Sequence, residues 1–172
     1  MLTHATPCAL FLNIIYHTND ALEISALTTT ARIKWLDHMT FVGETGSGHA
    51  VVMDGPPEVG GRDLGPRPME MLLLGMGGCS GFDVVQILQK ARQPVTGCEV
   101  SLSAERADTE PKVYTQIHAH YTVTGQGLSE KQVERAINLS IEKYCSASIM
   151  LGATAKITHE FTLQDSTLPK AE

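Results

Sequence analysis

Regular patterning begins near residue 31. Residues 32–36, Arg-Ile-Lys-Trp-Leu, alternate polar and apolar positions and carry β-favouring side chains, which predicts a strand. Residues 43–48, Gly-Glu-Thr-Gly-Ser-Gly, read as a turn, and residues 49–53 as a second strand that closes a hairpin. Residues 54–67 are so rich in glycine and proline that neither period survives. A loop of that length inside a compact domain is either functional or mobile. Pro68 then opens a helix, where proline's missing N–H costs nothing, and Pro94 bars its continuation, so the helix runs over residues 68–90. Its first half is apolar nearly all round, the mark of a buried helix. Gly75, Gly77 and Gly78 each cost roughly 1 kcal/mol of helix propensity against alanine, a cost that close approach of another backbone offsets.

Two longer strands follow. Residues 99–105 alternate strictly. Residues 113–123 do the same, with Val113, Thr115, Ile117, Ala119, Tyr121 and Val123 on one face and Tyr114, Gln116, His118 and His120 on the other. A half-buried antiparallel hairpin fits both runs. Ser129 and Gln132 have the spacing of a capping box for a second helix. On it Val133, Ala136, Ile137, Ser140, Ile141, Tyr144 and Cys145 fall on one stripe at the helical period. Residues 146–152 add a short turn or helix, and residues 156–163 the last strand. Paired strands with two intervening helices predict an α+β fold of one antiparallel kind rather than a doubly wound sheet. Neither an internal repeat nor a linker interrupts the domain, read as residues 31–165 and followed by a polar tail over 166–172.

Residues 1–30 lack this patterning. The apolar run 8–16, Cys-Ala-Leu-Phe-Leu-Asn-Ile-Ile-Tyr, has only His4 and no Lys or Arg before it, and Asn13 interrupts it. It makes a poor secretory signal and is too short to span a bilayer. It reads as a loosely ordered extension. With 172 residues, 42% hydrophobic, the chain can bury a real core. A net charge of −6 and scattered Lys and Arg exclude a basic field for nucleic acid. No later stretch is an uninterrupted membrane-length apolar run, so neither nucleic acid nor membrane is an expected partner. The four cysteines are too sparse for a secreted disulfide scaffold, which predicts reduced thiols and a cytoplasmic location.

Candidate chemistry rests on two of those cysteines. Cys79 lies in the glycine-rich helical run and Cys145 closes the stripe of the second helix; if the helices pack, the thiols meet as a redox pair. Either thiol alone reads as an inert buried cysteine. Cys79 is about eleven residues into its helix, so the helix dipole does little for it, and activation needs a nearby cation. Arg62 or Arg67 of the Gly/Pro-rich loop would supply one, with Asp83 orienting the arginine. Cys98, at a strand start beside Gly97, reads as structural, and Cys8 lies in the extension. His118 and His120 share a strand face without an evident third ligand and read as a solvated face. With no C-x-x-C or C-x-x-H spacing, no metal is expected. The glycines at 43, 46 and 48 precede no helix and so do not form a nucleotide loop, and no G-x-S-x-G elbow is present.

The segment Pro68-Met-Glu-Met-Leu-Leu-Leu-Gly-Met-Gly-Gly-Cys79-Ser-Gly-Phe-Asp-Val-Val, with Lys143-Tyr-Cys145-Ser about 65 residues later, resembles the OsmC/Ohr family, the osmotically inducible and organic-hydroperoxide-resistance proteins. The resemblance covers residues 31–163 or so and lies nearest a small OsmC-like branch of unassigned role. It implies an intertwined homodimer with the long helices buried between subunits. It also implies that Cys79 matches the peroxidatic cysteine and Cys145 the resolving one, in a thiol-dependent reductase of small organic hydroperoxides. Electrons would come from an external dithiol, and no bound cofactor is implied. The alternative is a non-catalytic redox or small-ligand-binding protein with an apolar cleft. The family's peroxidases place a glutamate ten residues before the first cysteine, where this chain has Met69, with Glu70 one residue late. They carry an arginine in the first hairpin turn, where this chain has none, so that Arg62 or Arg67 must stand in. Slower oxidation of Cys79 than in a dedicated peroxidase is the expectation.

Overall fold

The hairpin expected at the start is a three-stranded antiparallel meander in the computed structural model, which describes residues 28–166. Strand β1 (Ala31–Asp37) pairs with β2 (Thr40–Thr45), and β2 pairs with β3 (Ala50–Met53). The expected turn over 43–48 is therefore shorter, because Gly43, Glu44 and Thr45 belong to β2. Gly43 pairs with both Ile33 and Val51, so a glycine that read as a turn signal is a strand residue flanked on each side. The expected extension up to residue 27, with Cys8, and the tail from residue 167 lie outside the described residues.

The chain divides into two compact units, with the boundary between Arg67 and Pro68. In the first, the Gly/Pro-rich loop is organised by Asp54, which is 1% exposed. Its carboxylate accepts from the amides of Gly55, Arg62 and Leu64 at 2.8, 3.1 and 3.2 Å. Burial works to raise its pKa, but these donors and Thr40 outweigh it and hold the carboxyl below its ordinary value. Gly61 is required here, since a Cβ would come within 1.8 Å of the Gly55 carbonyl oxygen.

The second unit is built on helix α1 (Pro68–Lys90), strands β4 (Val95–Arg106) and β5 (Tyr114–Gly125), helix α2 (Glu130–Leu139), a π-turn (Ser140–Tyr144), helix α3 (Ser146–Leu151) and strand β6 (Lys156–Gln164). The sheet order is β4-β5-β6, with β4 and β5 antiparallel and β5 and β6 parallel. The α+β class is thus observed, with one antiparallel and one mixed sheet. One core joins Val84 and Leu88 of α1, Ala119, Tyr121 and Val123 of β5, and Val133, Ala136 and Ile137 of α2. A second gathers Met76, Tyr114, Ile117 and Ala155.

Three local expectations are corrected. On β5, Tyr114 is buried and Thr115 exposed, the reverse of strict alternation. Glu105 pairs with Gln116 and Arg106 with Tyr114, so Thr115 is the extra residue of a bulge that reverses the phase. The capping box does not form: Ser129 caps α2 with no side-chain bond, and its N–H donates to Gln93 Oε1 at 2.9 Å. Tyr144 is half exposed, because the π-turn carries it off the stripe.

Helix α1 is long and apolar enough to cross a membrane. Its Met76, Ser80, Val84 and Leu88 are instead buried in protein, and the open sheet edges beside it would go unsatisfied in hydrocarbon. Its other face is exposed among the described residues: Leu72, Leu74 and Phe82 are 46%, 61% and 65% exposed, and a Cβ at Gly75 or Gly78 would meet nothing within 4 Å. Close approach occurs at Gly77, whose Cβ would lie 3.2 Å from Leu102 Cδ1.

The cap arrangement yields a test. An N-cap serine normally contributes about 1 kcal/mol through its side chain, but the Ser129 side chain makes no such bond, and Gln93 instead accepts from the Ser129 backbone N–H. Urea unfolding should show Ser129→Ala costing less than about 0.5 kcal/mol and Gln93→Ala about 1 kcal/mol.

Candidate active site at the seam of α1 and the π-turn

Cys79 and Asp83 lie one turn apart on α1, where residues four apart share a face. They sit at the border between its buried and its open side, and both are half-buried. Cys145 follows the π-turn and is fully buried. The Sγ atoms of Cys79 and Cys145 and a carboxylate oxygen of Asp83 all lie within 4.8 Å of one another. Both cysteines are free thiols.

The π-turn makes this meeting possible. Cys145 N–H donates to Ser140 O at 2.8 Å, an i→i−5 bond. On a regular α-helix, residues five apart point about 140° from each other. The extra residue in the turn brings both to α1. Ser140 Oγ reaches Asp83 Oδ2 at 3.2 Å, and the Cys145 thiol approaches Met76 O at 3.9 Å.

Behind the carboxylate runs a line of buried hydroxyls. Tyr121 OH bonds Ser80 Oγ, and Ser80 Oγ lies 3.1 Å from Ser140 Oγ. Ser140 Oγ can donate to Asp83 Oδ2 at 3.2 Å or to Ser80 O at 3.3 Å, and in the Tyr121–Ser80 and Ser80–Ser140 bonds either hydroxyl can be the donor. The line ties the Asp83 carboxylate to the buried Tyr121 phenol through Ser140 and Ser80.

Burial pushes the Cys145 thiol up, and Cys79 beside it adds to the rise. The Ser148 amide, 3.4 Å from Cys145 Sγ, and the Ser148 hydroxyl oppose it. That hydroxyl is buried beside the sulfur, outside strict hydrogen-bond geometry but near enough to favour the charged form of Cys145.

Of the four side chains expected to activate Cys79, the structure brings Asp83 to the thiols. Glu70 stands nine residues before Cys79, about 180° round α1, where its charge acts on Tyr114. Arg62 belongs to the first unit and binds Asp37 at 2.5 Å and Thr40 at 3.2 Å. Arg67 lies 3.6 Å from Asp63 of the same unit. His118 and His120 bond Thr158 and Thr162 across the sheet, at 2.8 and 2.9 Å. Ser80, Tyr121, Ser140 and Ser148 were not singled out as site residues by the sequence. The available signal was Tyr121 on a buried strand face, since a buried phenol needs a partner.

A family model described as OsmC-like protein matches residues 60–160. The chain belongs to the OsmC-like family. It is 49% identical over 131 residues to Protein YhfA of Escherichia coli K12, covering 76% of this chain and 95% of that one. A solved structure of a hypothetical protein from Aquifex aeolicus VF5 is 30% identical, with TM-score 0.71 over 81% of this chain and 98% of its own. An organic hydroperoxide resistance protein OsmC from Legionella pneumophila shares the fold at 15% identity, with TM-score 0.60 over 78% of this chain and 96% of its own.

The raised thiol sets a pH dependence. Burial also raises Cys98, Tyr114 and Tyr121. An acid whose folded pKa exceeds its unfolded one contributes stability that is complete below the unfolded value, about 8.5 for a thiol, and is lost as pH rises through the folded value. The melting temperature should fall above about pH 8.5, and Cys145→Ala should flatten that slope. An unchanged slope in the variant would assign the loss to the other groups.

Proposed function

We propose that the protein is a thiol-dependent reductase of organic hydroperoxides, with Cys79 attacking and Cys145 resolving. The observation that carries this reading is the pair of free sulfurs within 4.8 Å, one half-exposed and one buried. A peroxide reaches the half-exposed sulfur. The Cys79 thiolate attacks the O–O bond, the alkoxide leaves and takes a proton as alcohol, and Cys79 becomes a sulfenic acid. The Cys145 sulfur then displaces the sulfenic oxygen, which leaves as water with the Cys145 proton, and a disulfide forms. An external dithiol reduces it by exchange. The exposed apolar stripe of Leu72 and Phe82 beside Cys79 favours organic over inorganic peroxide. Membership of the OsmC-like family, some of whose structural relatives are named organic hydroperoxide resistance proteins, supports the same reading.

A second copy of the chain covers the open face of α1 in this proposal. A helix this apolar with one side uncovered exposes a patch that monomers seldom tolerate. Sedimentation should give twice the chain mass, and Phe82→Glu should shift it toward the monomer.

A non-catalytic ligand-binding role has one observation in its favour. Asp83 puts a carboxylate beside the thiols, and a like charge disfavours thiolate.

Stopped-flow oxidation with thiol counting separates the two. Rapid loss of both Cys79 and Cys145 supports the reductase, and Cys145→Ser should stop the reaction at the sulfenic acid. Asp83→Asn should speed Cys79 oxidation about tenfold, equivalent to about 1.4 kcal/mol of barrier. Oxidation at the rate of a free thiol would leave the binding role.

A further inference from the structure

Cys79 Sγ, a carboxylate oxygen of Asp83 and Cys145 Sγ form a triangle of metal-binding atoms, all within 4.8 Å. We propose that this triangle binds a zinc-class divalent cation through two thiolates and one carboxylate, with a fourth position open. The proposal uses the same thiols as the reductase reading and adds a control on them, because a bound cation occupies both sulfurs and shields Cys79 from peroxide.

The geometry fits after a small contraction. Zinc bonds of about 2.3 Å to sulfur and 2.0–2.2 Å to oxygen, at tetrahedral angles, place ligand atoms about 3.6–3.8 Å apart. An inward shift of about 1 Å, within the reach of side-chain torsions, therefore suffices. Two of the ligands sit one turn apart on the rigid α1, so their separation is preset. Half-buried Cys79 and Asp83 leave a path for the cation.

The surroundings also fit. Ser140 donates to Asp83 Oδ2 at 3.2 Å, which orients the carboxylate beside the two sulfurs. Ser148 is 2% exposed, its amide points at Cys145 Sγ from 3.4 Å, and its hydroxyl, otherwise unpartnered, also favours the charged form of that sulfur. A neutral thiol is a weak acceptor, so two donors gathered on one sulfur suit a thiolate. A buried thiolate in turn needs a cation. Two thiolates and a carboxylate carry three negative charges, and a divalent ion leaves one. Binding expels the two thiol protons to solvent, with no change in oxidation state. Thiolate donors select zinc over magnesium or calcium, which prefer all-oxygen shells. The sequence conceals this site because its ligands fall in two separate segments without a C-x-x-C.

The test uses the reduced full-length protein. Competition against a chromophoric chelator should show one zinc per chain, and X-ray absorption of the loaded protein should show two sulfur ligands. Cys79→Ser and Cys145→Ser should each weaken binding by more than the roughly 10–100-fold that loss of an outer partner costs. Asp83→Asn should weaken it about tenfold or more, and Cys98→Ser should leave it unchanged. Fewer than two sulfurs in the X-ray absorption, or undiminished affinity when both Cys79 and Cys145 are serine, overturns the site. Absence of binding at micromolar zinc does so too. Peroxide oxidation of the metal-free protein tests the reductase reading separately. Inert thiols that still bind zinc would leave the site standing alone, and reactive thiols that bind none would leave only the reductase.

Discussion

The close seat of α1 on strand β4 is the constraint on which the second unit depends. Gly77 and Gly81 are one turn apart, and a Cβ at either would lie 3.2 Å from Leu102 or Val100. Their lack of side chains lets the helix settle deeply enough to bury Met76, Ser80, Val84 and Leu88. That depth brings Ser80 onto the phenol of Tyr121, a fully buried group that would otherwise go unpaired. Cys79, the residue before Ser80, is thereby set at the edge of the packed face, supported on one side and open on the other.

A second constraint comes from the π-turn. Without the added residue, Ser140 and Cys145 could not both face α1. With it, the hydroxyl of the first orients Asp83 while the sulfur of the second meets Cys79. Irregular helical turns carry a cost in hydrogen-bond geometry and recur at functional sites. The one in this chain falls where its removal would separate the two thiols.

Charge decides what the cluster can do. Two thiols and a carboxylate in a partly desolvated space resist ionising together. Either a transient thiolate forms at the more exposed Cys79, with Ser148 ready to stabilise the second at Cys145, or a cation neutralises all three groups. The two states compete for the same sulfurs. The hydroxyl line from Tyr121 through Ser80 and Ser140 ends on Asp83, the group both states share.

Much of the architecture was legible from pattern. The long helix from Pro68 to Lys90, the paired strands after it, the buried stripe of Val133, Ala136 and Ile137, and the α+β class all follow from period and from proline placement. The OsmC-like family was legible in the segment around Cys79. What pattern could not supply were departures of a single residue. Alternation in β5 hides the bulge at Thr115, and an unbroken helical stripe hides the π-turn, because one inserted residue leaves composition unchanged while it reverses side chains along a strand and turns them by about 100° along a helix. The capping box failed for a related reason, since the competing acceptor, Gln93, is distant in sequence. The chain alone determined which residues could carry chemistry, for thiol and carboxylate reactivity belong to the side chains. Only the tertiary structure decided that Asp83 joins Cys79 and Cys145 and that Ser80, Tyr121 and Ser140 stand behind it, because distances of a few ångströms between separate segments are set by packing.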